Sequence, residues 1–292
     1  MKSLLISDGH LTSTNSSGRT DNLLKTSRKK LEFIFKKAQK EKAIILQAGD
    51  MTNTPRDFVL LFWLIKLFKK YKPNMYCVGG QHDSYHRSNK PSIQKILQSF
   101  GYIKILNEEP VMQKFAEIYG SSFGEDIPIP KSKLDLNILV CHANISDRAI
   151  YPGHEYSDAE NFLKKHNYDL VLCGDVHNHF VKSYQGRLCV NTGPVLRRSI
   201  AESHLSPCYF LYDSESRALD KGEIPHKDSF DVEEIARESS LDKMVDRFSK
   251  AIRTDHVEEV DAIELLEHLI KKNSSKISKS TLNAIDEIRS EK

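Results

Sequence analysis

Ala43-Ile44-Ile45-Leu46-Gln47-Ala48, followed at once by Gly49-Asp50-Met51-Thr52-Asn53, is the stretch on which the fold turns. A short apolar run that stops at a Gly-Asp turn has the signature of a buried strand ending in a loop. The pattern recurs. Asp8-Gly9-His10 follows a run at 3–7, Gly80-Gln81-His82-Asp83 a run at 75–78, Cys141-His142-Ala143-Asn144 a run at 136–140, and Gly174-Asp175-Val176-His177 a run at 169–173. Five strand ends each deliver an Asp, a His or a side-chain amide into a loop. In layered α/β folds, rigid strands aim such residues at a crevice beyond their carboxyl ends.

Further β-type runs lie at 103–106, 188–191 and 208–212, and helix-like stretches at 22–42, 57–71, 93–100 and 158–165. Strands alternating with helices early, then strands in closer succession, predict an α/β sandwich rather than a purely doubly wound sheet. Residues 124–133 read as a Pro-containing loop, and no internal repeat is evident. The catalytic domain is expected over 1–215, a linker over 216–230, and a helical C-terminal extension over 231–292. In that extension Val257, Val260, Ile263, Leu266 and Leu269 fall at helical spacing, and Leu282, Ile285 and Ile288 repeat the pattern.

Bulk properties set broad limits. A chain of 292 residues with 39% hydrophobic and 28% charged side chains is ordinary for a soluble globular protein with a sizeable core. No apolar run approaches membrane-spanning length, and the first residues turn polar at Ser7-Asp8, too soon for a signal-peptide core; a cytoplasmic location is expected. Five cysteines without C-x-x-C spacing read as small buried hydrophobes rather than a disulfide or zinc framework. Residues 231–292 carry 15 acidic and 11 basic side chains of the 40 and 43 in the chain, leaving 25 acidic against 32 basic in 1–230. A basic body with an acidic tail permits a polyanionic substrate.

Singly, each loop fragment is an ordinary turn beside an incidental His. Together and in order they are donors suited to a pair of divalent cations. Two such ions about 3.5–4 Å apart neutralise a phosphate ester, lower the pKa of a bound water and stabilise the leaving oxygen. Such a pair needs a bridging carboxylate, for which Asp50 is the best candidate. Carboxylates mixed with imidazoles and one amide suit Mn2+, with Fe2+ or Zn2+ as substitutes, better than Mg2+ alone.

This ordered set resembles the calcineurin-like metallophosphoesterase superfamily, whose signatures run D-x-H, G-D-x-x-N/D, G-N-H-D/E, an isolated His and G-H-x-H. The resemblance covers roughly residues 1–215 and implies a four-layer α-β-β-α sandwich with two mixed sheets. It also implies one metal held by Asp8, His10, Asp50 and His177, and a second held by Asp50, Gln81, His142 and Asp175. His82, with Asp83 beside it in the motif, matches the His that protonates or stabilises the leaving group. Two positions depart from the pattern: Gln81 stands where Asn is usual, and Asp175 where the first His of G-H-x-H is usual. The strand-then-glycine context favours this register; the alternative pairs His177 with His179 and leaves Asp175 behind them.

Within the superfamily the chain is most similar to the nuclease subunit of the SbcCD type. The motif spacing, the segment Val190-Asn191-Thr192-Gly193-Pro194 and the helical extension carry that likeness. It implies DNA as substrate, exonuclease or endonuclease action in repair or recombination, and docking of a Rad-type, SbcC-like coiled-coil ATPase on the C-terminal helices. A homodimer is a further expectation. Asn53 sits where some of these nucleases carry a second catalytic His. Asn53, His86, Arg87, Arg197 and Arg198 are candidate substrate contacts, and Lys25, Arg28, Lys29, Lys30, Lys36, Lys37, Lys40 and Lys42 crowd one helix that either faces nucleic acid or is simply solvated. The rival readings are a small-molecule phosphatase or cyclic-nucleotide phosphodiesterase on the same fold, and a non-catalytic scaffold.

Overall fold

The computed structural model describes residues 1–16, 18–84, 91–114, 116–130, 136–150, 153–227, 229–231 and 233. The chain begins with β1 (Lys2–Ile6) and passes through α1 (Leu23–Glu41), β2 (Ile44–Ala48), α2 (Phe58–Tyr71) and β3 (Met75–Val78). A short α3 (Ile93–Ser99) leads into β4 (Lys104–Ile105), β5 (Val111–Gln113), β6 (Ala116–Ser121) and β7 (Leu136–His142). After the small pair β8 (Ile145–Ser146) and β9 (Ser157–Asp158) come α4 (Ala159–Lys165), β10 (Leu170–Gly174) and β11 (Phe180–Tyr184). The last strands are β12 (Arg187–Asn191), β13 (Cys208–Asp213) and β14 (Leu219–Glu223).

Local chemistry sets the helix ends. The side chains of Asn22, Asp57 and Asp158 accept from the backbone N–H three residues on, capping α1, α2 and α4. Lys42 and Lys72 end α1 and α2 in the left-handed conformation, where a residue of a tight turn must lie.

Two six-stranded mixed sheets result, in the orders β14-β13-β1-β2-β3-β4 and β11-β12-β10-β7-β6-β5. In the first sheet β1 to β4 run parallel and β13 and β14 add antiparallel at one edge, while in the second β12, β10, β7 and β6 run parallel between antiparallel edge strands β11 and β5. Period-two alternation sorts the side chains. Leu5, Leu46, Val78, Ile138, Val140 and Leu172 fill the space between the sheets. Leu4, Ile6 and Ile45 point the other way, onto Ile34, Phe35, Leu64 and Phe68 of α1 and α2. Leu139 and Val171 pack on Phe162 and Leu163 of α4. These are the four α-β-β-α layers, and all five cysteines are buried and free within them.

The segment expected as a linker differs from expectation. β14 falls inside it and pairs with β13, and the compact unit runs from Met1 to Asp231. Its sequence, Leu-Asp-Lys-Gly-Glu, lacks apolar alternation because β14 is an exposed edge strand. β5, β6 and β11 were also not evident as strands; β6 is fully buried yet spells Ala-Glu-Ile-Tyr-Gly-Ser. The helical extension expected over 231–292 lies outside the described residues, save Asp231 and Glu233. Among the described residues no helix is long and apolar enough to cross a membrane.

The basic run on α1 divides on inspection. Arg28 stacks on Trp63 at 3.5 Å, and Lys36 and Lys37 pair with Glu32 and Glu41. Lys30 is buried, its Nζ donating to the Val195 carbonyl at 2.8 Å. Burial, reinforced by Arg197 and Arg19, brings its pKa down to about 7. The unfolded chain keeps that proton up to the ordinary lysine range, so above about pH 7 the unfolded state binds more protons and stability rises with pH. Relative to Lys30→Met, the natural protein should therefore gain roughly 2 kcal/mol between about pH 7 and about pH 9. Urea titrations of both proteins at the two pH values test this, and parallel pH profiles would refute it.

Candidate metal centre

The loops after β1 and β2 are zipped together by their backbones: Asp8 N–H donates to the Gly49 carbonyl, His10 N–H to that of Asp50 and Leu11 N–H to that of Met51. This pairing sustains an unusual conformation. Asp8, His10, Asp50 and Asp175 all have positive φ, at 44°, 42°, 50° and 93°. Non-glycine residues there cost on the order of 1 kcal/mol each, and such strain gathers at functional sites. Two glycines make the approach feasible. A Cβ on Gly80 would lie 2.1 Å from Asp50 Oδ1, and one on Gly49 would lie 2.3 Å from His142 Nδ1.

Eight of the expected residues converge. Asp50 Oδ2 lies 3.8 Å from His10 Nε2, 3.5 Å from His142 Nε2 and 4.0 Å from His82 Nε2. On one side of it, His10 Nε2 and His177 Nε2 stand 3.2 Å apart, with buried Asp8 completing a trio of donors. On the other side, His142 Nε2 faces Gln81 Oε1 at 2.7 Å and Asp175 Oδ1 at 3.9 Å, while the Gln81 amide donates to Asp175 Oδ1 at 2.9 Å. Asp50 belongs to donor groups on both sides.

The residues present fit a pair of divalent cations. Asp8 Oδ2 is buried without a hydrogen-bond partner, an expense that a cation would remove. His142 Nδ1 lies 2.7 Å from the Ala48 carbonyl, which can only accept, so Nδ1 keeps its hydrogen and Nε2 is the atom that would meet a cation, giving up its own proton when one enters. The charges agree. Burial pushes Asp8 up, partly offset by His142 and His177. Burial and then Arg198 hold His10 well below its ordinary value, in the neutral form a cation requires. For His142 burial works downward, but Asp50 and Asp8 prevail and lift it to about 9. Carboxylates thus pull a positive charge into this pocket.

Glu202 was not singled out from the sequence. Its Oε1 lies 2.8 Å from His177 Nδ1, fixing the ring, and its other oxygen accepts from the Arg198 N–H. The readable signal is the Ser199-x-x-Glu202 spacing, which here caps a 3-10 turn. Carboxylate partners of this kind orient ligating imidazoles. Glu202→Gln should lower Mn2+ affinity by about 10–100-fold with the fold intact. Calorimetric Mn2+ titration checks this, and unchanged affinity would remove Glu202 from the account.

The other expected residues fare unevenly. Asp83 does not face the pocket: its buried carboxylate accepts from the N–H groups of Met51, Thr52 and Gly80 and from the Gln94 amide. It braces the site instead of touching a substrate. His82 is partly exposed at the pocket, with Nδ1 2.9 Å from the Asn53 carbonyl. The Asn53 side chain accepts from Arg198 Nη1 at 2.6 Å, holding that guanidinium at the rim. Arg197 is corrected: it is buried and turned away, donating to the carbonyls of Ser203 and Lys227, because the chain here sends consecutive side chains to opposite sides. His179 Nε2 lies 2.8 Å from Lys221 Nζ, away from the donor groups that include His177. His86 and Arg87 lie outside the described residues.

Comparison with known proteins places this geometry in context. The family model described as calcineurin-like phosphoesterase matches residues 1–179. The DNA double-strand break repair protein Mre11 of Sulfolobus acidocaldarius is 25% identical over 195 residues, covering 61% of this chain and 50% of that protein. The chain thus matches about half the length of that curated relative. Among solved structures, the Thermus thermophilus protein TT1561 aligns with a TM-score of 0.49 at 15% identity, over 77% of this chain and 99% of that one. An archaeal phosphodiesterase aligns with a TM-score of 0.44 at 16% identity, over 76% of this chain and 99% of that one.

Proposed function

Because the chain belongs to the calcineurin-like phosphoesterase family, we propose that it is a two-metal phosphodiesterase acting on DNA, an exonuclease or endonuclease of a repair or recombination assembly. One observation carries the two-metal reading: a single buried oxygen, Asp50 Oδ2, lies within 4.0 Å of imidazoles from three separate segments of the chain. Asp8, His10, Asp50 and His177 would hold one cation, and Asp50, Gln81, His142 and Asp175 the other. Mn2+ suits this mixture best, with Fe2+ or Zn2+ as substitutes. When bound, the pair supplies charge neutralisation for the phosphodiester and a water of lowered pKa.

The chain's own residues do the rest. The Asn53 carbonyl can only accept, so His82 Nδ1 carries a hydrogen and Nε2 is left facing the pocket. A proton held on Nε2 can pass to the departing oxygen. Arg198, fastened by Asn53 and steered by Glu202, would grip a non-bridging phosphate oxygen. Asn53 thus serves by anchoring an arginine and a histidine.

The DNA-directed part is supported by the sequence likeness to a break-repair protein and by the basic balance of residues 1–230. An SbcC-like coiled-coil ATPase docking on residues 231–292, and a cytoplasmic location, belong to the same proposal. So does a homodimer, with which the exposed Phe58, Val59 and Phe62 of α2 are consistent. The test is a Mn2+ titration of linear duplex DNA, single-stranded DNA and p-nitrophenyl phosphate side by side. We expect Mn2+-dependent cleavage of DNA. Hydrolysis of the small ester with both DNAs untouched would favour a small-molecule phosphatase, and no hydrolysis of any of them would favour a scaffold.

A further inference from the structure

Away from the metal centre, Arg19, Lys25, Lys29, Lys30, Arg197 and Lys227 line a cleft of about 540 Å3 between the first half of α1 and the segment after β14. Among the described lining residues Asp21 is the one carboxylate, and it is taken by Arg19 at 2.6 Å and by Thr26 Oγ1 at 2.5 Å. The Val195 carbonyl positions Lys30 without neutralising it. Burial, and then the neighbouring Arg197 and Arg19, bring the Lys30 pKa down to about 7, and a bound anion would offset that loss of charge. Lys25 and Lys29 stand exposed one helical turn apart at the mouth, with Phe33 and Pro225 among the lining. A merely solvated helix face would neither bury a lysine nor draw cations from three other segments to the same place.

The cleft is separated from the metal centre by one stretch of backbone. Val195 N–H donates to the Asp8 carbonyl at 3.0 Å on one side, and its carbonyl accepts from Lys30 on the other. Arg197 then lines the cleft while Arg198, the next residue, is fastened at the rim of the centre.

We propose that this cleft is a second phosphate-binding site, which holds the backbone of a nucleic-acid strand alongside the metal centre. The inference rests on the DNA-directed reading above. It gives a role to Lys25 and Lys29, which face outward while Arg28 stacks on Trp63, Lys30 is buried and Lys37 pairs with Glu41.

The test uses the full chain and a labelled single-stranded oligonucleotide, with affinity read by fluorescence anisotropy over a salt series without divalent cation. The variant is Lys25→Ala/Lys29→Ala; both positions are exposed on a helix that alanine favours, so folding is preserved. We expect affinity to fall roughly tenfold and the slope of log affinity against log salt to shrink by about 1.4, two contacts at about 0.7 each. Mn2+-dependent hydrolysis of bis(p-nitrophenyl) phosphate should be unchanged. Unaltered affinity and slope would overturn the cleft assignment alone, leaving DNA cleavage by the natural protein to support the nuclease reading. If the natural protein hydrolyses the small diester but neither binds nor cuts the oligonucleotide, both fail together.

Discussion

Asp50→Asn should cut metal-dependent phosphodiester hydrolysis by at least about a thousandfold, equivalent to roughly 4 kcal/mol of transition-state stabilisation, while the chain stays folded. The reason is geometric. Asp50 Oδ1 accepts from the His82 N–H at 2.8 Å, a bond that the amide oxygen of Asn can still make. Oδ2 faces His10, His82 and His142 at 3.8, 4.0 and 3.5 Å. Replacing it with a neutral NH2 puts a donor where two cations need a shared acceptor, and removes the negative charge that makes the pocket attract them. Circular dichroism should show the native spectrum, and steady-state rates with Mn2+ the loss. Activity within about tenfold of the natural protein would mean that the carboxylate bridges nothing.

Asp83→Ala should cost on the order of 4 kcal/mol of stability, the largest effect expected from any residue that does not touch the pocket. Asp83 is 2% exposed, and its two oxygens accept from the N–H groups of Met51, Thr52 and Gly80, the Thr52 hydroxyl and the Gln94 amide. Burial lifts its carboxyl to about 6, so near neutral pH it is ionised and able to accept from all of them. Truncation strands those donors in the interior, each at a cost of about 1–3 kcal/mol if nothing relaxes. The stranded N–H groups of Met51 and Thr52 directly follow Asp50, so activity should fall with stability. Urea unfolding measures the first, and a loss below about 1 kcal/mol would show that water or rearrangement satisfies the donors.

The convergence of Asp8, His10, Asp50, His142 and His177 was legible because each follows an apolar strand of a type the eye can find. Strand ends on one edge of a layered fold must meet, whatever the distance along the chain. What escaped reading is equally physical. Asp83 lies next to His82 in sequence, yet its side chain runs inward to brace the loops, and burial is not written in a four-residue motif. Arg197 and Arg198 are chemically identical neighbours that differ only in which side of the backbone they leave. Glu202 reaches His177 across 25 residues through tertiary structure alone. β6 and β14 were hidden for opposite reasons: the first is a fully buried strand that carries Glu and Gly, the second an edge strand with a polar outer face.

The account stands or falls on whether two cations share Asp50. Anomalous scattering from crystals of the protein soaked in Mn2+ tests this most directly. It should show two peaks about 3.5–4 Å apart, one among Asp8, His10 and His177, the other among Gln81, His142 and Asp175, with Asp50 between them. A single peak, or peaks away from Asp50, would contradict it.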